Sequence, residues 1–283
     1  MPMPDEHIHP TATGLAKKTV DAHQDPQDLV FWSGWFCPFN QRIWIALEER
    51  KIPYQYHEVN PYKKEETFLK LNPLGLVPTL EIKTAQGSKA LYESDVLAEF
   101  LEDLYPPSEE HPSIFPSDPY EKSWVRLNIQ HVSKKIIPNY FKLQQSQTES
   151  DQDAARKELI SALRTYAKRI KGPYFAGEQW TAVDGALAPF VERLYILEKH
   201  RNFDEKEVGD GWWEYRERLM ARDSLKNTSS EDQYYEEMLG RSVIHATDYC
   251  DHSTTGSNYY CRYLRNEAQS EVAKATRAGQ SLP

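Results

Sequence analysis

Cysteine is scarce in this chain: there are three in 283 residues, at Cys37, Cys250 and Cys261. So few, so placed, exclude a disulfide framework, and reduced thiols are the expectation. Cys250 and Cys261 flank a polar segment with Asp251 and His252, but their spacing matches no usual zinc pattern, and no metal is expected. Basic residues are also in deficit, 34 against 43 acidic ones, for a formal charge of -9. That balance argues against a general binder of nucleic acid or of anionic membrane, and no basic block reverses it. Long apolar runs are missing, and the opening Met1-Pro-Met-Pro-Asp-Glu has neither the positive region nor the apolar core of a secretory signal. The expectation is a soluble, cytoplasmic protein.

What is present is enough chain for one small and one larger domain. Residues 1–27 are polar, hold several Pro and His residues and show no sustained period, which predicts a flexible extended arm in which His7 and His9 are incidental. Next, the β-rich run from Val30 reaches a Gly turn at Gly34, then Cys37, then Pro38 and a breaker-free helical stretch from Ile43 to Arg50. A thiol at a helix N-terminus lies beside unpaired amides at the positive end of the dipole, and both favour the nucleophilic thiolate. The same stretch also fits an inert cysteine buried where a strand meets a helix.

Residues 52–59 alternate like a second strand, so strand, helix and strand form a parallel crossover unit. A short polar helix or turn over Lys63 to Leu71 ends at Asn72-Pro-Leu-Gly75. Pro78 then belongs at the very start of a strand, after a cis Val77–Pro78 bond, with the Val77 backbone turned toward an extended peptide ligand. The alternative is an ordinary turn proline. A hairpin turns at Ala85-Gln-Gly87, and Glu93-Ser94-Asp95 opens a helix from Val96 to Tyr105 with Ser94 as its N-cap. Helix-start amides with the Glu93 carboxylate suit an α-amino acid head; a simply capped, solvated helix start fits too.

Cys37-Pro38-Phe39 with Arg42, Asn72-Pro-Leu-Gly-Leu-Val-Pro78 and Tyr92-Glu93-Ser94, in that order, resemble the thioredoxin-like domain of the glutathione transferases. They are most similar to the cysteine-type omega class, whose N-terminal extension residues 1–27 would match. The resemblance implies a glutathione transferase fold, an α/β thioredoxin-like N-terminal domain over 28–105 and an all-α C-terminal helical domain over 118–253, and fades beyond about Leu197; the Pro- and Ser-rich composition of 106–117 marks the linker, and 254–283 reads as a polar tail. The resemblance also implies glutathione as co-substrate, joined to Cys37 in a mixed disulfide. Phe39, Val77 and Pro78 would lie along the tripeptide, Glu93 and Ser94 at its γ-glutamyl head, and Lys64 (or Lys63 beside it) at its glycyl carboxylate.

The second part reads as helices over Tyr120 to Gln145, Asp151 to Lys171, Thr181 to Lys199 and Trp212 to Ala221, with a further helix within Ser230 to Tyr249. Asp118-Pro119 marks a helix start, and Thr181-Ala-Val-Asp184 a capping box for which a structural role is expected. Trp35, Phe36, Tyr140, Trp212 and Trp213 are candidate walls of an acceptor pocket, or simply core. A cysteine in this place predicts a thiol transferase or reductase, acting in deglutathionylation or dehydroascorbate-type reduction. Its thiol is expected to titrate below the free value of about 8.5. The rival activities are conjugation of glutathione to an electrophilic metabolite such as a quinone or polyketide, and non-catalytic ligand or partner binding. A homodimer would suit the family, with an electrophilic or glutathionylated small molecule as the second partner.

Overall fold

The computed structural model describes residues 9–60 and 63–244, with side chains to 238. A four-stranded sheet runs in the order β2, β1, β3, β4, from β1 (Leu29–Ser33), β2 (Gln55–Glu58), β3 (Thr79–Thr84) and β4 (Gly87–Tyr92). β1 and β2 are parallel, because α2 (Pro38–Glu49) carries the chain back across the sheet between them. β3 pairs antiparallel with β1 and with β4. α3 (Glu66–Leu71) precedes the hairpin and α4 (Ser94–Leu104) follows it.

Side chains alternate across β1, which is buried on both faces. Leu29 and Phe31 point into the main core, while Val30 and Trp32 meet Val59, Phe68 and Val77 on the other side. The main core is continuous from the sheet into the helices of the second part. Those are α5 (Pro119–His131), α6 (Ile137–Gln145), α7 (Glu149–Ala167), α8 (Ala182–Glu192), α9 (Leu194–Arg201), α10 (Trp212–Ala221), α11 (Asp223–Lys226) and α12 (Asp232–Ile244). Among the described residues no helix is long and apolar enough to cross a membrane.

Local chemistry sets the ends of several helices. Asp118 caps α5 by accepting from the Glu121 amide, with Pro119 in the first turn. At α8, the Asp184 carboxylate accepts from the Thr181 amide (2.8 Å), the Phe175 amide (2.9 Å) and the Tyr215 hydroxyl (2.9 Å). Asp184 is fully buried, and desolvation pushes its carboxyl up despite those donors. Its part in the structure is to tie α8, α10 and the Phe175 loop together.

Three features differ from the sequence expectation. The long pattern from Tyr120 to Gln145 is broken by a π-helical turn, Val132–Ile136. Pro138 follows in the first turn of α6 and cannot supply the amide that a continuous α-helix would need. The pattern from Thr181 likewise divides at Arg193, whose Nη1 donates to the Pro189 carbonyl at 2.6 Å. Finally, the expected extended arm contains a helix, α1 (Gly14–Ala22), with Ala12 and Ala16 in the core. Contacts with residues more than two hundred positions away fold it, which no local period could announce. The expected tail over 254–283, with Cys250 and Cys261, lies outside the described residues.

The segment between α4 and α5 has no regular element and is stapled by Arg50. Its guanidinium donates to the Tyr105 carbonyl (2.5 Å) and the Pro112 carbonyl (3.2 Å), and lies 3.2 Å from the buried Glu102 carboxylate. Removing one partner of so buried a pair strands the other charge, at a cost of about 3–5 kcal/mol.

Candidate active site

Cys37 is the N-cap of α2, as the strand–turn–cysteine–helix pattern predicts. Its loop is fastened on three sides. The Val59 amide donates to the Ser33 carbonyl at 2.6 Å, and the Cys37 amide and Asn40 Nδ2 both donate to the Gly34 carbonyl at 3.0 Å. Glu58, at the end of β2, accepts from the Trp35 amide at 3.0 Å and from the Tyr56 hydroxyl at 2.8 Å. Those two donors do not offset its burial, which pushes the Glu58 carboxyl up to about 8. The sequence reading did not single out Glu58; an acid closing a strand that carries the buried Tyr56 was the available signal.

The thiol itself departs from expectation. Cys37 is 1% exposed, and burial pushes it up to about 11 rather than down toward neutrality. The amides of Asn40 and Phe39 and the charges of Arg193 and Arg42 all favour the thiolate, but desolvation outweighs them. The helix terminus was visible in the sequence; the depth of its burial was not.

Trp35, two residues before the sulfur, is covered from both ends of the described chain. The Trp35 indole N–H donates to the His9 carbonyl at 2.9 Å, and its ring packs against Phe36, Tyr234 and Tyr235. The His9 ring lies 4.6 Å from that of Tyr234, so His9 is part of the cover and not incidental. Thr13 and residues 230–231 exchange two 3.0 Å hydrogen bonds, from the Thr13 amide to Ser230 Oγ and from the Glu231 amide to Thr13 Oγ1. Beneath, the Arg193 guanidinium lies 4.0 Å from the centre of the Tyr235 ring and donates to Gln41 Oε1 at 2.6 Å. Glu192 also accepts from Gln41, at 3.0 Å, and its carboxyl is pushed up by burial. Arg193, the cation nearest in effect to the sulfur after the amides, was missed in the sequence, although a Glu-Arg pair closing an apolar helix invites notice.

The other expected residues fall into two groups. The Val77–Pro78 bond is cis and leads directly into β3. Glu93 is the N-cap of α4, the place expected for Ser94, and has φ 78, a conformation sparsely used by side chains other than glycine. Ser94 is the first residue of α4, partly exposed, and accepts from Arg42 Nη1 at 3.2 Å. Lys64 stretches along Gly75, which has φ 61; a Cβ there would sit 3.1 Å from Lys64 Nζ. Phe39 is buried, ringed by Phe141 and Phe190 and lying under the Arg42 guanidinium.

Of the pocket candidates, Trp35 and Phe36 pack against each other, and Tyr140 packs on Phe190 with its hydroxyl donating to the Arg193 carbonyl at 3.2 Å. Trp212 is set elsewhere, against Tyr215 with its indole N–H donating to Glu205, while Trp213 is 52% exposed. These two are corrected to core and surface roles on α10. Among the described residues no group of three His, Cys, Asp or Glu side chains converges to hold a metal.

A thioredoxin-like sheet with a cysteine at the start of the helix after its first strand, a cis-proline before its third strand and a helical second part defines a glutathione transferase fold. Comparison with known proteins bears this out. Family models described as the glutathione S-transferase N-terminal and C-terminal domains match residues 36–104 and 149–218. Glutathione S-transferase DHAR2 of Arabidopsis thaliana is 32% identical over 70% of this chain and 85% of its own length. Glutathione S-transferase omega-1 of Sus scrofa is 32% identical over 69% of this chain and 79% of its own. The crystal structure of glutathione transferase Omega 3C from Trametes versicolor is 48% identical, covers 79% of this chain and 99% of that one, and superposes with a TM-score of 0.75. The chain belongs to the glutathione S-transferase family, with omega-class members among its similar structures.

A buried thiol with a pKa of about 11 has a specific kinetic signature. With Cys37→Ser as the blank, the alkylation rate of Cys37 should rise roughly tenfold per pH unit from about pH 7 upward. A plateau already reached near neutrality would contradict the closed, protonated thiol.

Proposed function

We propose that this chain is a cysteine-type glutathione-dependent thiol transferase and reductase of the cytoplasm, working through a Cys37–glutathione mixed disulfide. The observation that carries the reading is the presence together of a cysteine at the start of α2, a cis Val77–Pro78 bond leading into β3, and a Glu93–Ser94 helix start joined to α2 through Arg42. Glutathione is the co-substrate, with its sulfur at Cys37, its backbone along Phe39, Val77 and Pro78, its γ-glutamyl head at Glu93 and Ser94, and its glycyl carboxylate at Lys64. The relatives named as omega-1 and DHAR glutathione S-transferases support this assignment.

The site must open before any sulfur can meet the buried Cys37. Water and ligand then relieve the desolvation, and the Phe39 and Asn40 amides, with Arg193 and Arg42, remain to favour the thiolate. The thiolate attacks the glutathione sulfur of a glutathionylated substrate. The old S–S bond breaks, the substrate sulfur leaves and takes a proton, and Cys37 is joined to glutathione. A second glutathione, as thiolate, attacks that disulfide, releasing oxidised glutathione and restoring Cys37. With a dehydroascorbate-type acceptor, the two electrons and two protons come from Cys37 and glutathione as their sulfurs join.

One observation favours conjugation as a second reading: burial pushes the Cys37 thiol up to about 11, and a cysteine that keeps its proton can orient glutathione without bonding to it. Replacement of Cys37 by serine separates the two. Glutathione-dependent reduction of dehydroascorbate and of a glutathionylated dithiol peptide should vanish in Cys37→Ser, while conjugation to an electrophilic quinone survives or rises. Retained reductase turnover would overturn the mixed-disulfide reading.

The chain also pairs as a homodimer in this proposal. Tyr92, Val96 and Leu127 are exposed apolar residues on β4, α4 and α5, and Arg126 and Glu99 form an exposed ion pair between the same two helices. Sedimentation equilibrium should give the mass of two chains; a single-chain mass across the concentration range would refute it.

A further inference from the structure

Arg42 lies one turn beyond Cys37 and is 5% exposed. Its guanidinium is spread over two bodies of the fold. Nε donates to the Ala186 carbonyl of α8 at 2.8 Å, and Nη1 donates to Ser94 Oγ at 3.2 Å and Asp95 Oδ1 at 3.0 Å, both on α4. Both Nη atoms lie 3.4 Å from Ser133 Oγ in the π-helical turn, and that hydroxyl donates to Asp95 Oδ2 at 2.9 Å. Phe39 and Phe190 flank the guanidinium carbon at 5.5 Å each.

The consequence follows from what a hydroxyl has to offer. Ser94 carries one O–H proton and two lone pairs, whereas a guanidinium has only donors. Arg42 therefore takes the acceptor side of Ser94 Oγ and directs its one proton to another acceptor. Asp95 holds the guanidinium in place and balances its charge, so the arrangement presents a donor at the start of α4 without an exposed cation. A γ-glutamyl α-carboxylate is an acceptor of matching kind, and the helix-start amides point the same way.

We propose that Arg42 is a positioning residue that fixes the polarity of the Ser94 hydroxyl, and thereby sets the preference for a thiol bearing a γ-glutamyl head over one that lacks it. The inference rests on the assignment of Glu93 and Ser94 to that head. Ser133 belongs to the same device, because it joins both Nη atoms to Asp95 from the helical side.

The test is calorimetric binding to the full chain in a Cys37→Ser background, which removes covalent chemistry and the effect of Arg42 on the sulfur. Glutathione is compared with cysteinylglycine, which keeps the thiol and the glycyl end but lacks the head. Arg42→Lys keeps the charge but loses the planar fork, and should weaken glutathione roughly tenfold, the worth of a hydrogen bond involving a charged group. Cysteinylglycine should change less than about twofold. Ser94→Ala should do the same, and the double variant should be no weaker than Ser94→Ala alone. Ser133→Ala, a milder change that keeps the guanidinium, should shift glutathione selectively by about twofold to threefold and guards against a misfolded Arg42→Lys. Equal losses for both ligands, or additive losses in the double variant, would overturn the role. If the background protein binds both ligands equally, the head-group assignment itself fails, and the inference with it.

Discussion

The structure depends on a contest at one sulfur. The start of α2 offers Cys37 two amides and the fields of Arg42 and Arg193, all of which favour a thiolate. Full burial favours the thiol and wins in the closed state. The amides and Arg42 are local to α2, whereas Arg193 comes from the helical part. Trp35, two residues before the sulfur, is itself packed against His9, Tyr234 and Tyr235, from opposite ends of the described chain. Each of these aromatic pairs adds about 0.5–1.5 kcal/mol beyond the burial of its rings.

α2 is where the two halves of the molecule meet. Gln41 is bonded to Arg193, Arg42 to the Ala186 carbonyl, and Glu49 to Arg222 through 2.5–2.6 Å contacts. Each is a buried or half-buried polar pairing between the cysteine helix and the helical part. A ligand that bonds at the beginning of α4 is thus one guanidinium away from both Cys37 and α8. The same charges that bind the halves together set the electrostatics of the sulfur, which is why stability and chemistry are hard to separate by mutating them singly.

What could be read in the sequence was chemistry confined to a few neighbouring residues. Cys37 before Pro38 announced a thiol at a helix start, Val77–Pro78 a cis bond at a strand start, and Thr181 with Asp184 a capped helix. The order of strands and helices in the first part followed from period and breakers. What could not be read was set by partners remote in the chain: α1 folded against residues 227–231, the depth of the thiol's burial, and Trp212 drawn to Glu205 instead of a pocket. Amphipathic period predicts that a face is buried, not against what. The direction of the Cys37 shift turned on that difference.

The most direct test of the mixed-disulfide account is the intact mass of the full chain after incubation with oxidised glutathione, for the wild type and Cys37→Ser. Peptide mapping of Cys250 and Cys261 serves as the internal control. One glutathione adduct, mapped to Cys37 and absent from Cys37→Ser, is the predicted result. Glutathione that binds without forming an adduct at Cys37, or an adduct confined to Cys250 and Cys261, would contradict it.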